Sequence, residues 1–235
     1  MLGRQCSLRA GWGRFYQSQG ITQLRVQEGE REFYPAEQST HWVLGLEHRL
    51  VRGPQLRVEG YYNKGAHLRP VYRNWRDGIE IFPELQDDRV AIDLKGATDK
   101  GLEFYLKQGA GEKLAWWAKY GLAWSREPFS TVRWAGGQLA LARELPGSYD
   151  QRHTIYLDAN YCSIAKWHLN LAWQYRSGWP YTERVVGVGT LPDGRRYVYA
   201  EAGKLYGCNY PAFHRSDLRL RRYFDISKGK ISAFV

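Results

Sequence analysis

The sequence has no long hydrophobic run and little cysteine. In its 235 residues, no stretch approaches the roughly 20 consecutive apolar residues that a membrane-spanning helix needs. The mean hydropathy of -0.58 is also too polar for a helical membrane protein, so that class is excluded. The three cysteines, Cys6, Cys162 and Cys208, are odd in number and far apart, so they predict no disulfide framework.

A concentrated basic patch is also missing from the sequence. The formal net charge is +10 and the pI is 9.5, but proteins that bind nucleic acid gather Lys and Arg on one face or one helix. Here the charged residues alternate singly with apolar residues along the whole chain. We therefore expect no nucleic-acid partner, and the dispersal favours a surface that meets anionic lipid headgroups or lines a pore.

Aromatic residues are abundant, with Trp 10 and Tyr 17. Amphipathic rings suit a boundary between water and an apolar phase, such as a protein interface or the aromatic girdles of a membrane barrel. A Trp-rich soluble core is the alternative that composition leaves open.

Segments of about ten residues alternate between apolar and polar side chains, which predicts β-strands with one apolar face. Trp42, Leu44 and Leu46 begin one such pair, RGPQ supplies the turn, and Leu56 and Val58 resume the alternation. Further pairs with short turns follow at 102–124, 152–175 and 217–235, and a single strand outside these pairs covers 8–17.

Long connections separate the pairs, at 18–40, 65–100, 126–150 and 178–213. Short turns at one end and long loops at the other, with about nine strands, predict an all-β fold: part of an antiparallel transmembrane β-barrel with short periplasmic turns and long extracellular loops. The loops 65–100 and 178–213 are the expected substrate-capturing elements. Single-chain bacterial barrels have even strand numbers, so we expect a partial barrel.

Two other classes remain open at this point. A soluble antiparallel sheet alternates in the same way, so a Trp-rich β-sandwich that binds carbohydrate is one alternative. A self-contained outer-membrane pore or barrel enzyme is the other. Long ionisable and amide groups crowd the polar face, which favours a water-filled or plugged lumen.

We predict that a set of polar strand residues faces this lumen, where they would contact a plug or line the substrate path. They are Glu47, Arg49, Arg57, Glu59, Glu103, Lys107, Lys119, Arg152, Asp158, Gln174, Arg176, Asp217, Arg219 and Arg221.

One motif resembles a known family. Residues 176–182 read RSGWPYT, and this run resembles the strand-to-loop signature of TonB-dependent outer-membrane receptors, with Arg176, Ser177, Gly178, Pro180, Tyr181 and Thr182 as the matching positions. The segments DQRH at 150–153, PAFHRSDLR at 211–219 and GWGRFYQ at 11–17 resemble other strands of the family, in family order.

The resemblance implies a 22-stranded barrel that an N-terminal plug domain fills and that imports scarce nutrients with energy from the TonB complex. It implies a siderophore, vitamin or oligosaccharide as ligand, the bacterial outer membrane as location, and membrane lipid, the protein's own plug and the TonB complex as partners. No segment resembles the plug or a secretory signal. We therefore expect residues 1–235 to be the C-terminal part of the barrel domain, with the plug and the final strands absent.

Catalytic and metal sites are not predicted, and neither is a cofactor. His153 and His168 lie on opposite sheet faces by parity and no Ser or Cys has a matching base nearby, so we expect no enzyme. Cys208 and His214 match no zinc spacing. An acidic segment lacks the order of a calcium loop; it contains Glu80, Glu84, Asp87 and Asp88.

The glycine-rich segment 187–194 is interpreted as a turn. Gly187 and Gly189 precede Pro192, Asp193 and Gly194, but they open no helix and so cannot offer helix N-terminal amides to a phosphate.

Overall fold

The computed structural model describes residues 6–50, 53–74, 89–109, 113–134, 137–162, 166–204, 206–227 and 229–235. Within these ranges the chain is almost entirely strand. The strands are β1 (Cys6–Gln17), β2 (Glu37–Arg49), β3 (Gln55–Ala66), β4 (Val71–Asn74), β5 (Arg89–Leu94), β6 (Ala97–Gln108), β7 (Leu114–Trp134), β8 (Gly137–Pro146), β9 (His153–Cys162), β10 (Trp167–Arg176), β11 (Pro180–Tyr181), β12 (Arg184–Thr190), β13 (Arg196–Ala202), β14 (Cys208–Asn209), β15 (Phe213–Ile226) and β16 (Gly229–Phe234).

Among the described residues, helix is limited to two single 3-10 turns, Ile21–Gln23 and Val26–Glu28. In the ranges given above, no helix has the length and apolar character that crossing a bilayer would require.

Nine strands lie side by side in one antiparallel sheet, in the order β1-β2-β3-β6-β7-β9-β10-β15-β16. This number agrees with the count expected from the alternation. The alternation predicts the strand at 8–17 as a single strand outside the pairs. In the structure this strand is β1, and it pairs with β2 at twelve register positions. Strands β4, β5 and β8 attach to the same sheet beside this path.

The register gives the sheet two chemically different faces. Directly paired residues of neighbouring strands point to the same side. One row across the sheet is therefore made of apolar residues and ends in histidine: Leu8, Leu46, Val58, Phe104, Tyr120, Ile155, Tyr175 and His214. We call this side the apolar face and the opposite side the polar face.

No second layer covers the apolar face within the described ranges. Leu44 is 57% exposed, Leu171 49% and Leu218 67%, although a sandwich core would bury all three. The β-sandwich alternative is therefore wrong, because its two sheets must pack face to face. The expected partial antiparallel β-barrel is confirmed.

Aromatic residues border the apolar face at both ends. Trp12, Trp42, Tyr62 and Trp124 lie towards the long connections, which we call the long-loop end. Trp116, Tyr161 and Trp167 lie towards the short turns, the short-turn end. The eleven residues of β7 from Leu114 to Trp124 span roughly 25 Å at the tilt of a barrel strand, which is the height of an outer-membrane apolar band.

Beyond this band the sheet continues into a folded extension at the long-loop end. Strand β7 runs for 21 residues, and its distal half pairs with β5 and β8. Val90, Ile92, Phe129 and Val132 form a small buried core there. The described residues of the connections predicted at 65–100 and 126–150 therefore lie mostly in paired strands, because each connection contains apolar residues that this core buries.

Ion pairs tie the extension to the first long connection. The carboxylate of Glu28 accepts a hydrogen bond from Arg89 Nε at 2.7 Å, and the side chains are only 5% and 8% exposed. Glu37 pairs with Arg69 at 2.9 Å beyond the aromatic border. Burial raises the pKa of Glu37, but the hydrogen bonds and charge of Arg69 outweigh it, so the pKa is lowered. This pair thus stabilises the fold above the ordinary carboxyl pKa and is lost as the pH falls through the lowered value.

Phe129→Ala tests the small core. Phe129 is 3% exposed, and removing a buried phenyl ring costs about 3 kcal/mol or more. We expect faster hydrogen exchange of the amides of β5 and β8, with β9 and β10 unchanged. Phe33→Ala is the matched control, since Phe33 is 54% exposed. Equal effects of the two substitutions would contradict the assignment of this core.

Candidate ligand path on the polar face

The register places thirteen of the fourteen predicted lumen residues on the polar face. They are Glu47, Arg49, Arg57, Glu59, Glu103, Lys107, Lys119, Asp158, Gln174, Arg176, Asp217, Arg219 and Arg221. Arg152 lies just before β9, pairs with Asp150 at 2.8 Å and stands over the Trp124 ring at 5.1 Å. The alternation predicted a lumen-facing position for Arg152, but this residue precedes the first residue of β9, so the strand register does not assign it to a face.

Opposite charges on the polar face are paired. Arg9 reaches Glu47 at 3.3 Å, and Lys119 reaches Glu103 at 2.9 Å. Arg57 bonds to Glu59 within its own strand. These side chains are partly exposed, so each pair contributes little to stability. Their arrangement leaves a hydrated, mixed-charge surface that offers both donors and acceptors to a ligand.

A cleft of 740 Å³ lies on this face towards the long-loop end. Its wall is acidic in character, because five carboxylates contribute to it: Glu59, Asp99, Glu103, Glu127 and Asp150. Asp150 is 6% exposed and accepts a hydrogen bond from the Ser125 N–H at 3.1 Å. His41, Tyr61 and other uncharged polar residues also line it. The cleft can therefore hold a polar guest with cationic or hydroxyl donors.

Two side-chain groups near the short-turn end were not anticipated. The amide of Asn170 donates to Asp158 at 3.1 Å and to Asn160 at 3.0 Å. Cys162 Sγ lies 3.1 Å from His168 Nδ1, so the expectation that no Cys has a base nearby is wrong. The two residues are neighbours only through the β9–β10 register, which residue spacing alone does not show.

The Cys162–His168 pair lacks the third group of a nucleophilic site. In the part of the chain that the structure describes, no carboxylate bonds to His168, whose ring packs edge-on against Tyr223 at 5.0 Å. Nucleophilic sites need a base that a further group orients. We therefore assign no catalysis to this pair, and the absence of enzymatic activity stays a prediction.

The RSGWPYT motif anchors the base of the last long connection. The Ser177 hydroxyl accepts a hydrogen bond from the His153 N–H at 2.9 Å, and the Ser177 N–H donates to the His153 carbonyl. Thr182 Oγ1 accepts a bond from the Tyr206 N–H at 3.1 Å. Pro180 and Tyr181 form β11, which pairs with β14 at the other end of the connection. The motif residues thus close the loop onto the sheet.

Gly178 is required by the close approach of the returning chain. A Cβ at this position would lie 1.6 Å from the Tyr210 carbonyl oxygen. The Tyr181 and Tyr210 rings stack nearby, with centroids 4.4 Å apart. Glycine is the residue that allows such contact between two backbones.

The remaining sequence predictions have mixed outcomes. The turn predicted over 187–194 is confirmed only in part: Gly187 and Gly189 lie in β12, paired with Tyr199 and Tyr197 of β13. The turn itself follows β12 and contains Gly194, whose φ is 87°. Glu80, Glu84, Asp87 and Asp88 fall outside the described residues. Within the described ranges no group of three potential metal ligands occurs, and Cys208 Sγ contacts Glu183 at 3.7 Å.

The fold is similar to part of two solved barrel structures. One similar solved structure is the ferripyoverdine receptor of the outer membrane of Pseudomonas aeruginosa bound to ferripyoverdine, with 10% identity, a TM-score of 0.52 and coverage of 93% of this chain and 25% of that one. A second is P. aeruginosa FpvA bound to heterologous pyoverdines, with 10% identity, a TM-score of 0.50 and coverage of 94% and 26%.

These similarities confirm, at the level of the fold, the predicted resemblance to TonB-dependent receptors. The chain spans about a quarter of the length of the receptors it matches. No protein-family profile and no curated protein matches the sequence.

Gly178→Ala tests the closure of the last connection. The added methyl group would collide with the Tyr210 backbone, so the β11–β14 pairing should be lost at a cost above about 1 kcal/mol. We expect limited proteolysis to cut between residues 182 and 208 several times faster. Gly11→Ala is the control, since a Cβ there would meet nothing within 4 Å. Unchanged cleavage of the Gly178 variant would refute the anchoring role.

Proposed function

We propose that this chain is part of the barrel of a TonB-dependent outer-membrane receptor that takes up a scarce nutrient. The apolar face would meet lipid, and the polar face would line the lumen and contact the plug. The long-loop end would be extracellular and the short-turn end periplasmic. The predicted ligand class remains siderophore, vitamin or oligosaccharide.

The observation that carries this proposal is the exposed apolar face of one continuous sheet. Leu8, Leu44, Leu171 and Leu218 are each between 49% and 67% exposed. The first two lie in the adjacent strands β1 and β2, and the last two in the adjacent strands β10 and β15 of the same sheet. A water-soluble monomer rarely exposes an apolar surface of this extent. Hydrocarbon would cover it, and the closed sheet of a full barrel would satisfy the backbone polar groups there.

The polar face supports the receptor role through its cleft and its loops. The cleft lies between the acidic residues of β3, β6 and β7 and the base of the long connections. The connection that the RSGWPYT motif anchors stands beside it, through Gln151, whose amide donates to the Ser177 carbonyl at 3.1 Å. A ligand captured by the loops would therefore descend onto a hydrated surface of paired charges. Such a surface offers hydrogen bonds to the ligand without holding it in a deep apolar pocket.

Leu171→Arg and Ala172→Arg form a matched pair that tests the membrane orientation. Leu171 lies on the apolar face at mid-strand, whereas Ala172 lies on the polar face between Asp158 and Asp217. An arginine facing lipid at the bilayer centre costs about 2 to 4 kcal/mol. We expect Leu171→Arg to lower, by that amount, the free energy of unfolding of the full-length protein in phospholipid vesicles. Ala172→Arg should have little effect.

The measurement is a urea titration followed by heat-modifiable gel mobility. If Ala172→Arg destabilises the protein more than Leu171→Arg, the two faces have been assigned the wrong way round. If the untreated protein stays soluble and folded without lipid, the membrane proposal itself fails.

A further inference from the structure

The charged residues of the nine-strand path are divided unequally between the two faces. Every Asp and Glu in the described registers of these strands lies on the polar face. In these registers, the charged residues on the apolar face are all cations. Four of them, Arg14, Lys64, Lys100 and Arg126, occur at the long-loop end, on β1, β3, β6 and β7.

The four cations lie within reach of one another. The register joins Arg14, Thr40, Lys64, Thr98 and Arg126 in one row across the sheet. Lys100 lies one step below, diagonal to both Lys64 and Arg126. Diagonal neighbours in a sheet are roughly 7 to 8 Å apart, so three long side chains converge on one small area.

These cations have no anionic partner in the described structure. None of the four takes part in a salt bridge or a side-chain hydrogen bond among the described residues, while most other strand charges are paired. Asp150 is the carboxylate near Trp124, but it is buried and already bonded to Arg152 and to the Ser125 N–H. Among the described residues, no carboxylate compensates the positive charge of the cluster.

An apolar groove lies directly below the cluster. Its volume is 1080 Å³, and Trp12, Trp42, Tyr62, Trp124 and Lys100 contribute to its lining. The groove exists because Gly60 leaves a gap in the row Ala10, Leu44, Gly60, Leu102 and Leu122. A Cβ on Gly60 would already approach Leu102 Cδ2 to 3.3 Å. Cations above an aromatic-walled groove suit a molecule with an anionic head and an apolar tail.

We infer that the cations and the groove form a binding site for a membrane lipid whose headgroup carries phosphate. Lys64, Lys100 and Arg126 would hold the phosphate, Arg14 would extend the contact along the row, and an acyl chain would occupy the groove beside Gly60. This inference rests on the proposed membrane orientation. It adds a lipid selectivity that the orientation alone does not require.

The test uses the full-length protein in vesicles that contain brominated phosphatidylglycerol or brominated phosphatidylcholine. Bromine quenches tryptophan fluorescence on contact, so the ratio of the two quenching curves gives the preference for the anionic lipid. We expect a clear preference in the native protein. Each cation near an anionic surface contributes roughly fivefold, so Lys64→Gln with Lys100→Gln should lower the preference at least fivefold.

A matched double variant controls for net charge. Lys95→Gln with Lys204→Gln removes the same charge from exposed positions outside the nine-strand path, and it should keep the native preference. Gly60→Leu fills the groove while leaving the cations in place, and it should also lower the preference. These three results together would support the site.

Other outcomes separate the site from the proposed function. If every variant assembles in the vesicles with the native preference, the lipid site is refuted and the receptor assignment stands. If inorganic phosphate at millimolar concentration abolishes the preference, the cluster binds a free anion and the lipid site is refuted. If the native protein does not assemble in vesicles at all, both proposals fail.

Discussion

The strict alternation of side chains across one sheet is the constraint on which the rest of the structure depends. Because strand side chains point alternately to opposite faces, a shift of one residue in any strand of the path would bring a charged side chain from the polar face onto the apolar face. The nine strands of the path keep this phase from Leu8 in β1 to Ala233 in β16. The result is a wall with one apolar side and one hydrated side.

The packing follows from this division of faces. The described hydrophobic core is confined to four residues of the extension, Val90, Ile92, Phe129 and Val132, because the wall has no interior of its own to bury. Among the described residues, the buried hydrophobic side chains thus lie where the chain leaves the band. There the Glu28–Arg89 pair and the anchored RSGWPYT segment hold the connections in defined positions.

The strands and their faces could be predicted from sequence because period-two alternation is a local signal. The four strand pairs at 42–62, 102–124, 153–175 and 217–235 could be predicted without any knowledge of tertiary contacts. The extension could not be predicted in this way. Its strands are short, and its pairings join β5 to β7 across about forty residues.

The same limit applies to the candidate site. Parity placed thirteen polar residues on one face, but the contact of Cys162 with His168 and the groove beside Gly60 depend on registers between strands. The role of Gly178 could likewise not be predicted from the sequence, since it depends on Tyr210 at the far end of a long connection.

The most direct measurement of the central claim is a spin-label scan along β10, in a protein without its three native cysteines. The account predicts that labels at Leu169, Leu171 and Trp173 collide with lipid-soluble oxygen, and labels at Asn170, Ala172 and Gln174 with a water-soluble nickel complex. If the first three positions were shielded from both reagents, another protein layer would cover the apolar face and the account would be contradicted.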